Sequence, residues 1–206
     1  PRHLRGPAER LEFRQEPDLP ARLVQGERPE RPWAPAFPAY ACRVATLHFV
    51  YGKPGAGKTC LARELAAAVP GVLFCEDEWL LALADPITTL EQYVAASRRQ
   101  RAVIGPMATR ILSLGTSVVF DFAANTVRDR AWVRSIFEAA GAEHLLHLLD
   151  VPDEECRRRV RERNATKPPG LYFGDVSEEI VARVLPHIVP PNESERFRVR
   201  TYSAGV

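Results

Sequence analysis

A chain of 206 residues with 46% hydrophobic and 26% charged residues has the size and composition of one globular domain with a buried core. Its formal net charge is only +2, which gives no overall indication of nucleic-acid or membrane binding. Four scattered cysteines without a C-x-x-C pair predict neither a zinc site nor a disulfide framework, and reduced thiols in the cytoplasm fit best. No run approaches the roughly 18 apolar residues of a membrane span, and we expect no signal peptide.

Residues 1–43 differ from the rest of the chain in composition. They contain eight of the 18 prolines and eight arginines, without a sustained helical or strand period. This composition predicts a poorly ordered extension. Six carboxylates offset the arginines, which favours a dispensable segment over a basic docking arm for RNA or a partner protein.

From Val44 onward, segments typical of strands alternate with segments typical of helices. The predicted elements are a strand at 44–51, a helix at 61–68, a strand at 71–75, a long helix at 88–114 interrupted near Gly105 and Pro106, a strand at 116–121, a helix at 126–140, a strand at 143–149, helices at 152–164 and 177–185, and a strand at 197–202. This alternation predicts a parallel sheet with right-handed crossovers and helices on both faces. Ligands of such sheets bind beyond the carboxyl ends of the strands.

The segment between the first strand and the first helix carries the strongest motif. It reads Gly52-Lys53-Pro54-Gly55-Ala56-Gly57-Lys58-Thr59 and fits G-x-x-x-x-G-K-[ST] at each fixed position. Its glycines allow the tight turn that brings backbone N–H groups onto a polyphosphate, and its strand-loop-helix context argues against a chance glycine-rich turn. We expect this loop and Cys60 after it to bind a nucleotide, with Lys58 between the β- and γ-phosphates and Thr59 as a ligand of Mg²⁺.

Acidic residues follow two of the later strands. A phosphoryl-transfer site needs an anchor for its metal and a base for the accepting hydroxyl group. Asp121 follows the apolar run 118–120 and is a candidate metal-binding acid, with a helix-capping or hydrogen-bonding aspartate as the alternative. Among Glu76, Asp77 and Glu78, we predict Asp77 as the base, because neighbouring like charges raise one another's pKa. Glu76 and Glu78 can instead be solvated.

The predicted helix at 152–164 is rich in arginine. Residues four positions apart share a helix face, so Arg159 and Arg163 can point together at a nucleotide and offset the charge of the transferred group. Acidic residues on the same helix can pair with several of the arginines, which leaves an exposed charged surface as the alternative.

The long predicted helix carries four arginines, three of which lie close together, Arg98, Arg99 and Arg101. A solvated helix face is the expected arrangement for them, because charged runs are usually exposed. Their position after the second strand leaves open that they shape the pocket of a phosphate acceptor.

With these residues identified, the chain from Val44 onward resembles the small P-loop kinases grouped as AAA-type ATP-binding proteins, which include polynucleotide kinase, the zeta toxins and chloramphenicol phosphotransferase. The resemblance covers about three quarters of the sequence. The loop GKPGAGKT is common to P-loop proteins, whereas VVFDFAANT and LDVPDEECRRRVRERNATKPPG resemble later segments of this family.

The resemblance implies roles for several residues. Asp77 matches the family's catalytic base, Asp121 matches the acid that contacts Mg²⁺ or the acceptor, and Asn125 is a weaker candidate for that contact. The lid cations would be Arg159, Arg163 and Lys167. The sequence departs from polynucleotide kinases at Leu80, where they carry an arginine, and from many relatives at Cys60, where a second Ser or Thr is frequent. Both departures leave the acceptor open.

We therefore predict an α/β P-loop NTPase fold of the nucleoside-monophosphate-kinase type in residues 44–206, with a doubly wound, parallel five-stranded sheet of order 2-3-1-4-5. The domain is expected to bind ATP and Mg²⁺ and to transfer the γ-phosphate to a hydroxyl group of a small molecule or nucleotide. Two alternatives stay open: an ATP-hydrolysing switch or interaction protein without a small acceptor, and a binding module centred on residues 1–43. The oligomeric state and the choice between ATP and GTP do not follow from the sequence.

Overall fold

The structure of the protein, a computed structural model, describes residues 44–83, 87 and 89–203. The predicted extension at 1–43 lies outside the described residues. The strands are β1 (Thr46–Tyr51), β2 (Gly71–Cys75), β3 (Ser117–Ala123), β4 (Glu143–Asp150) and β5 (Val199–Ser203). The helices are α1 (Lys58–Ala68), α2 (Glu76–Leu83), α3 (Leu90–Ser113), α4 (Val127–Ala140), α5 (Asp153–Thr166) and α6 (Glu178–Val184), followed by short 3₁₀ turns at Leu185–His187 and Glu193–Glu195.

All five strands run parallel in one sheet of order β2-β3-β1-β4-β5. This confirms the predicted α/β fold and strand order. The pairing of β1 with β3 is irregular near its end, because Phe49 pairs with Phe120 but Val50 pairs with Ala123. Asp121 lies within that shift, and β3 continues two residues beyond the predicted strand end.

The main core lies between the sheet and helices α3 and α4. The strands contribute Phe49, Phe120 and Leu146, and the two helices contribute Ile104 and Val133, all of them buried. Helix α1 packs on β1, β2 and β3, and its buried residues are separate from this cluster, so it covers the other face of the sheet. Helices on both faces of a parallel sheet agree with the apolar character of its central strands.

Helix α3 runs without a break from Leu90 to Ser113, so the predicted interruption near Gly105 and Pro106 is wrong. Proline removes one helical hydrogen bond and normally costs about 3 kcal/mol in a helix interior. Pro106 is exposed, however, while Ile104 and Ala108 on the other side of the helix are fully buried. Burial of that apolar face holds the helix together across the proline.

None of the described helices has the length and apolar character needed to cross a bilayer. The carboxyl ends of the parallel strands lie at one edge of the sheet. There β1 leads into the glycine-rich loop, β2 into α2, β3 into the segment before α4, and β4 into α5. These four connections form the candidate site.

Candidate active site

The loop between β1 and α1 is folded tightly against the start of α5. Gly55 has a φ angle of 82°, and a Cβ atom at this position would lie 2.3 Å from the carbonyl oxygen of Cys156. Only glycine fits this conformation and this contact. At the start of the loop, the backbone N–H of Gly52 donates to Oδ1 of Asn125 at 3.2 Å. Asn125, the weaker candidate for metal or acceptor contact, therefore uses this oxygen to hold the loop.

Lys58 begins α1, and its ammonium group folds back onto the loop. Nζ donates to the carbonyl oxygens of Gly52 at 2.8 Å and Lys53 at 3.0 Å. Burial lowers the pKa of this ammonium group, and the carboxylates of Asp121 and Asp77 act in the opposite direction. The charges of Asp77 and Asp121, the two acids proposed from the sequence, therefore act on the Lys58 cation.

Asp121 is buried in β3, with 9% of its surface exposed. It pairs in register with Cys75, the last residue of β2, and the Cys75 thiol donates to Oδ2 of Asp121 at 3.3 Å. Burial, followed by the charge of Asp121, raises the pKa of this thiol to about 12. No sequence pattern indicates a role for Cys75, because its proximity to Asp121 depends on the order of the strands.

The first turn of α2 places three consecutive acids in different surroundings. Glu76 is buried, where the Ser97 hydroxyl donates to Oε1 at 2.6 Å and Arg101 lies 3.6 Å from the same oxygen. Burial raises the pKa of Glu76. The alternative that Glu76 is solvated is therefore wrong. Glu78 is exposed, as that alternative expects, and forms an ion pair with Arg63 at 2.7 Å.

Asp77 lies between these two acids in the sequence, but it interacts electrostatically with Lys58, Asp121 and Arg163. The residue is exposed to solvent. The surrounding protein nevertheless raises the pKa of its carboxyl group, and the charge of Asp121 adds to the rise, while Lys58 and Arg163 oppose it. The two acids, Asp77 and Asp121, and the two cations, Lys58 and Arg163, therefore influence one another electrostatically.

Helix α5 carries both predicted lid arginines. Nη1 of Arg159 lies 3.5 Å from the carbonyl oxygen of Ala56 in the loop, and its Nε donates to Glu155 at 2.6 Å. Nε of Arg163 is buried and has no hydrogen-bond partner among the described residues. The charge of Arg163 acts on both Lys58 and Asp77, and an unpaired buried guanidinium nitrogen is a donor suited to an oxyanion.

Two further lysines considered from the sequence have other partners. The Lys53 side chain contacts the carbonyl oxygen of Val151 at 3.3 Å and forms an ion pair with Asp153, which raises the pKa of the lysine. Nζ of Lys167 lies 5.4 Å from the ring centre of Tyr172, after the end of α5. In this conformation neither ammonium group joins Lys58.

The arginines of α3 divide into two groups. Arg98 and Arg99 are exposed, in agreement with a solvated face. Arg101 is only partly exposed, because its Nη1 donates to Asp129 at 2.6 Å and its guanidinium group lies 4.9 Å from the ring centre of Trp132. Arg101 therefore joins α3 to α4.

The residues present fit the Mg²⁺ expected of a P-loop site. A Thr59 hydroxyl and an Asp121 carboxylate are hard oxygen donors, which this cation prefers. Within the part of the chain that is described, no group of three or more His, Cys, Asp or Glu side chains could hold a metal ion. A cation here would therefore complete its coordination with phosphate oxygens and water, as Mg²⁺ does in nucleotide sites.

Comparison with solved structures finds the same fold in several proteins, two of which are described as kinases. A candidate kinase from Chloroflexus aurantiacus superposes with a TM-score of 0.60 at 17% identity, covering 78% of this chain and 88% of that chain. Kti12 from Chaetomium thermophilum, in complex with ADP-AlF3, gives a TM-score of 0.59 at 18% identity, covering 77% of this chain and 89% of that chain. A gluconokinase from Sinorhizobium meliloti gives a TM-score of 0.50 at 14% identity, covering 78% of this chain and 83% of that chain.

No curated protein matches the sequence at a significant level. A protein-family model, described as an AAA domain, matches residues 47–189. This range contains the glycine-rich loop, both predicted acids and both predicted lid arginines. The match spans more than half of the chain, and the fold is that of the P-loop kinases. The chain therefore belongs to the AAA domain family, on a P-loop kinase-like fold.

Proposed function

We propose that the protein is an ATP-dependent kinase that uses Mg²⁺ and transfers the γ-phosphoryl group of ATP to a hydroxyl group of a small molecule or nucleotide. The observation that carries this proposal is the glycine-rich loop with Nζ of Lys58 folded onto its carbonyl oxygens at 2.8 and 3.0 Å, where the charges of Asp77, Asp121 and Arg163 act on this ammonium group. A phosphoryl-transfer site requires a phosphate cradle, a metal anchor, a base and a cation over the transferred group.

The free thiols of Cys60, Cys75 and Cys156 support a cytoplasmic location.

The arrangement at the loop suggests how the nucleotide would be held. The backbone N–H groups of the loop would bind the phosphates, and Lys58 would exchange the carbonyl oxygens of Gly52 and Lys53 for phosphate oxygens. Thr59 and Asp121 would hold Mg²⁺, which when bound neutralises charge on the β- and γ-phosphates. The lid cations on α5 would reach the transferred group, because one of them already contacts the loop carbonyl of Ala56.

Asp77 would act on the acceptor. Its carboxylate would take the proton of the accepting hydroxyl group as that oxygen forms a bond to the γ-phosphorus. The bond between the γ-phosphorus and the bridging oxygen breaks, and ADP leaves with that oxygen. A raised pKa suits this role, because a more basic carboxylate is the better proton acceptor.

The first test is the thermal unfolding of the purified protein with and without ATP and Mg²⁺. Selective binding to the native state raises the melting temperature by mass action. We expect a rise for the wild type, its loss in Lys58→Ala, and its retention in Arg110→Ala, which removes an exposed cation far along α3. No rise in the wild type would overturn the nucleotide site and the kinase proposal with it.

An acceptor screen with the same protein tests the transfer step. Mass spectrometry of the products would identify a phosphorylated acceptor among sugars, sugar acids, nucleosides and nucleoside monophosphates. ATP turnover without transfer to any acceptor would favour the alternative of an ATP-hydrolysing switch.

A further inference from the structure

The Cys75 thiol and the Asp121 carboxylate form a buried pair at the carboxyl ends of β2 and β3. Cys75 is 2% exposed and Asp121 is 9% exposed. The two residues are in register on neighbouring strands, so their side chains project from the same face of the sheet. The sulfur lies 3.3 Å from Oδ2 of Asp121, a distance suited to a hydrogen bond from the thiol.

The backbone gives this contact particular weight. The pairing of β3 with β1 shifts between Phe120 and Ala123, so Asp121 lies in an irregular part of that ladder. On the other side, the register with β2 is regular up to Cys75 and Asp121. The position of Asp121 therefore depends on β2, and its carboxylate is held by the last side chain of that strand.

The contact also leaves one carboxylate oxygen available. Oδ2 of Asp121 accepts from the thiol, while Oδ1 accepts no hydrogen bond from the described residues. A donor on one oxygen limits rotation of the carboxylate group and directs the other oxygen. The direction of Oδ1 matters because the Asp121 charge acts on both Lys58 and Asp77.

We propose that Cys75 is a positioning residue, which orients Asp121 so that one of its oxygens faces Mg²⁺ or a water bound to it. This inference rests on the proposed function, because it assigns the metal to Asp121. Cys75 itself would contact neither the nucleotide nor the metal. It would act through its hydrogen bond to Oδ2.

The test is the Mg²⁺ dependence of ADP binding, which requires no knowledge of the acceptor. ADP binding would be measured by calorimetry and by thermal unfolding over a series of Mg²⁺ concentrations. Cys75→Ala removes the donor, and we expect it to raise the half-saturating Mg²⁺ concentration about tenfold. Loss of a residue that supports a metal ligand typically costs about 10–100-fold in metal affinity, and a thiol, as a weak donor, should lie at the low end of that range. ADP affinity without metal should stay unchanged.

Cys75→Ser is the matched control, because its hydroxyl group restores a donor. We expect its Mg²⁺ dependence to lie close to that of the wild type. Cys75→Val is a second variant without a donor and keeps a residue suited to a strand, so the test holds if the alanine variant does not fold. In an Asp121→Asn background, loss of the thiol should have little further effect, because the two changes act through one contact.

The outcomes separate this inference from the proposed function. If wild-type ADP binding does not respond to Mg²⁺, the proposed metal site fails and the role of Cys75 with it. If the wild type responds and the alanine, valine and serine variants respond equally well, only the role of Cys75 is overturned. Equal impairment of the serine and alanine variants would also overturn it, because the effect would then arise from packing.

Discussion

Asp77 and Glu76 illustrate how far neighbouring residues of one type can diverge. Both are acids at the start of α2, and successive positions of a helix point about 100° apart. Glu76 turns inward and accepts from Ser97, whereas Asp77 stays open to solvent beside the loop. Surrounding protein and the charge of Asp121 raise the pKa of Asp77 above its ordinary value. The inward acid therefore anchors α2, and the outward acid is available for chemistry.

Replacement of Asp77 by asparagine should affect activity and stability in opposite directions. Loss of a positioned base typically costs about 10²–10⁴ in rate, so we expect transfer to fall by that factor. The raised pKa means that the native state binds the proton more tightly than the unfolded state does. Ionised Asp77 therefore lowers stability above that pKa, and Asp77→Asn should raise the melting temperature slightly at pH 7.

Initial rates and thermal unfolding, with Glu64→Gln as an exposed control on α1, would check both effects. In the wild type, the rate should fall as the pH is lowered, and the midpoint of this fall should lie above the ordinary pKa of an aspartate. Full ATP turnover in the asparagine variant would contradict the assigned role and favour an ATP-hydrolysing switch.

At the scale of elements, Arg63 connects three parts of the fold. From α1, its Nη2 donates to Glu78 on α2 at 2.7 Å and to the carbonyl oxygen of Gly170 at 2.6 Å. Gly170 has a φ angle of 75°, a conformation that favours glycine, and a Cβ there would lie 2.9 Å from Nη1 at the flexible end of the Arg63 side chain. The segment after the lid helix is thus joined to the helix that carries the predicted base.

Arg63→Ala should loosen that segment. The contacts are partly exposed, so we expect an effect of about 1 kcal/mol, which corresponds to roughly fivefold faster exchange of protected amides near 170–172. Hydrogen exchange followed by mass spectrometry would measure it, with Glu64→Ala as the control for a change at the adjacent exposed position. Unchanged exchange near Gly170 would mean that other contacts hold the segment.

At the scale of the whole molecule, a buried arginine ties the last part of the described chain to the sheet. Arg130 on α4 is fully buried and pairs with Glu195 through Nε at 2.7 Å and Nη2 at 2.8 Å. Its Nη1 donates to the carbonyl oxygens of Ala124 at 3.0 Å and Val189 at 2.8 Å. The guanidinium group therefore joins the segment after β3, next to the loop's partner Asn125, to the segment before β5.

Removal of either partner should be costly, because it leaves a buried charge or buried carbonyl groups without partners. We expect Arg130→Ala to lower the free energy of unfolding by about 3–5 kcal/mol, while Arg128→Ala, an exposed change on the same helix, should have little effect. Chemical denaturation would measure both. A small effect of Arg130→Ala would show that the segments at 189–195 are held by other contacts.

The same ion pair predicts a dependence on pH. The hydrogen bond from Arg130 lowers the pKa of Glu195, so the native carboxylate binds a proton less readily than the unfolded one. Its stabilising contribution is therefore present above the ordinary glutamate pKa of about 4.3 and is lost as the pH falls through the lowered value. Unfolding measured across this acid range should be less pH-dependent in Glu195→Gln, and an unchanged profile would assign the acid sensitivity to other carboxylates.

Local patterns in the sequence predict the fold class and the glycine-rich loop: apolar strands, helix periods and a glycine spacing that a phosphate-binding turn requires. The strand order follows from the family resemblance and not from any local pattern, and the structure confirms it. Asp77, Asp121 and the two lid arginines are candidates from their positions in the sequence, and the family resemblance matches them to roles that stay predictions. In the structure the charges of Asp77, Asp121 and Arg163 act on Lys58, and Arg159 contacts the loop carbonyl of Ala56. The break predicted at Pro106 failed because local propensity was outweighed by burial of the opposite helix face.

Only the tertiary structure decided how side chains distant in sequence are paired. Cys75 meets Asp121 because β2 and β3 are neighbours in register, and Asn125 meets Gly52 because the segment after β3 returns beside the loop. Glu76 and Arg101 become partly or fully buried because α2, α3 and α4 converge. These contacts join residues 25 to 73 positions apart, where no sequence period carries information, so packing alone selects them.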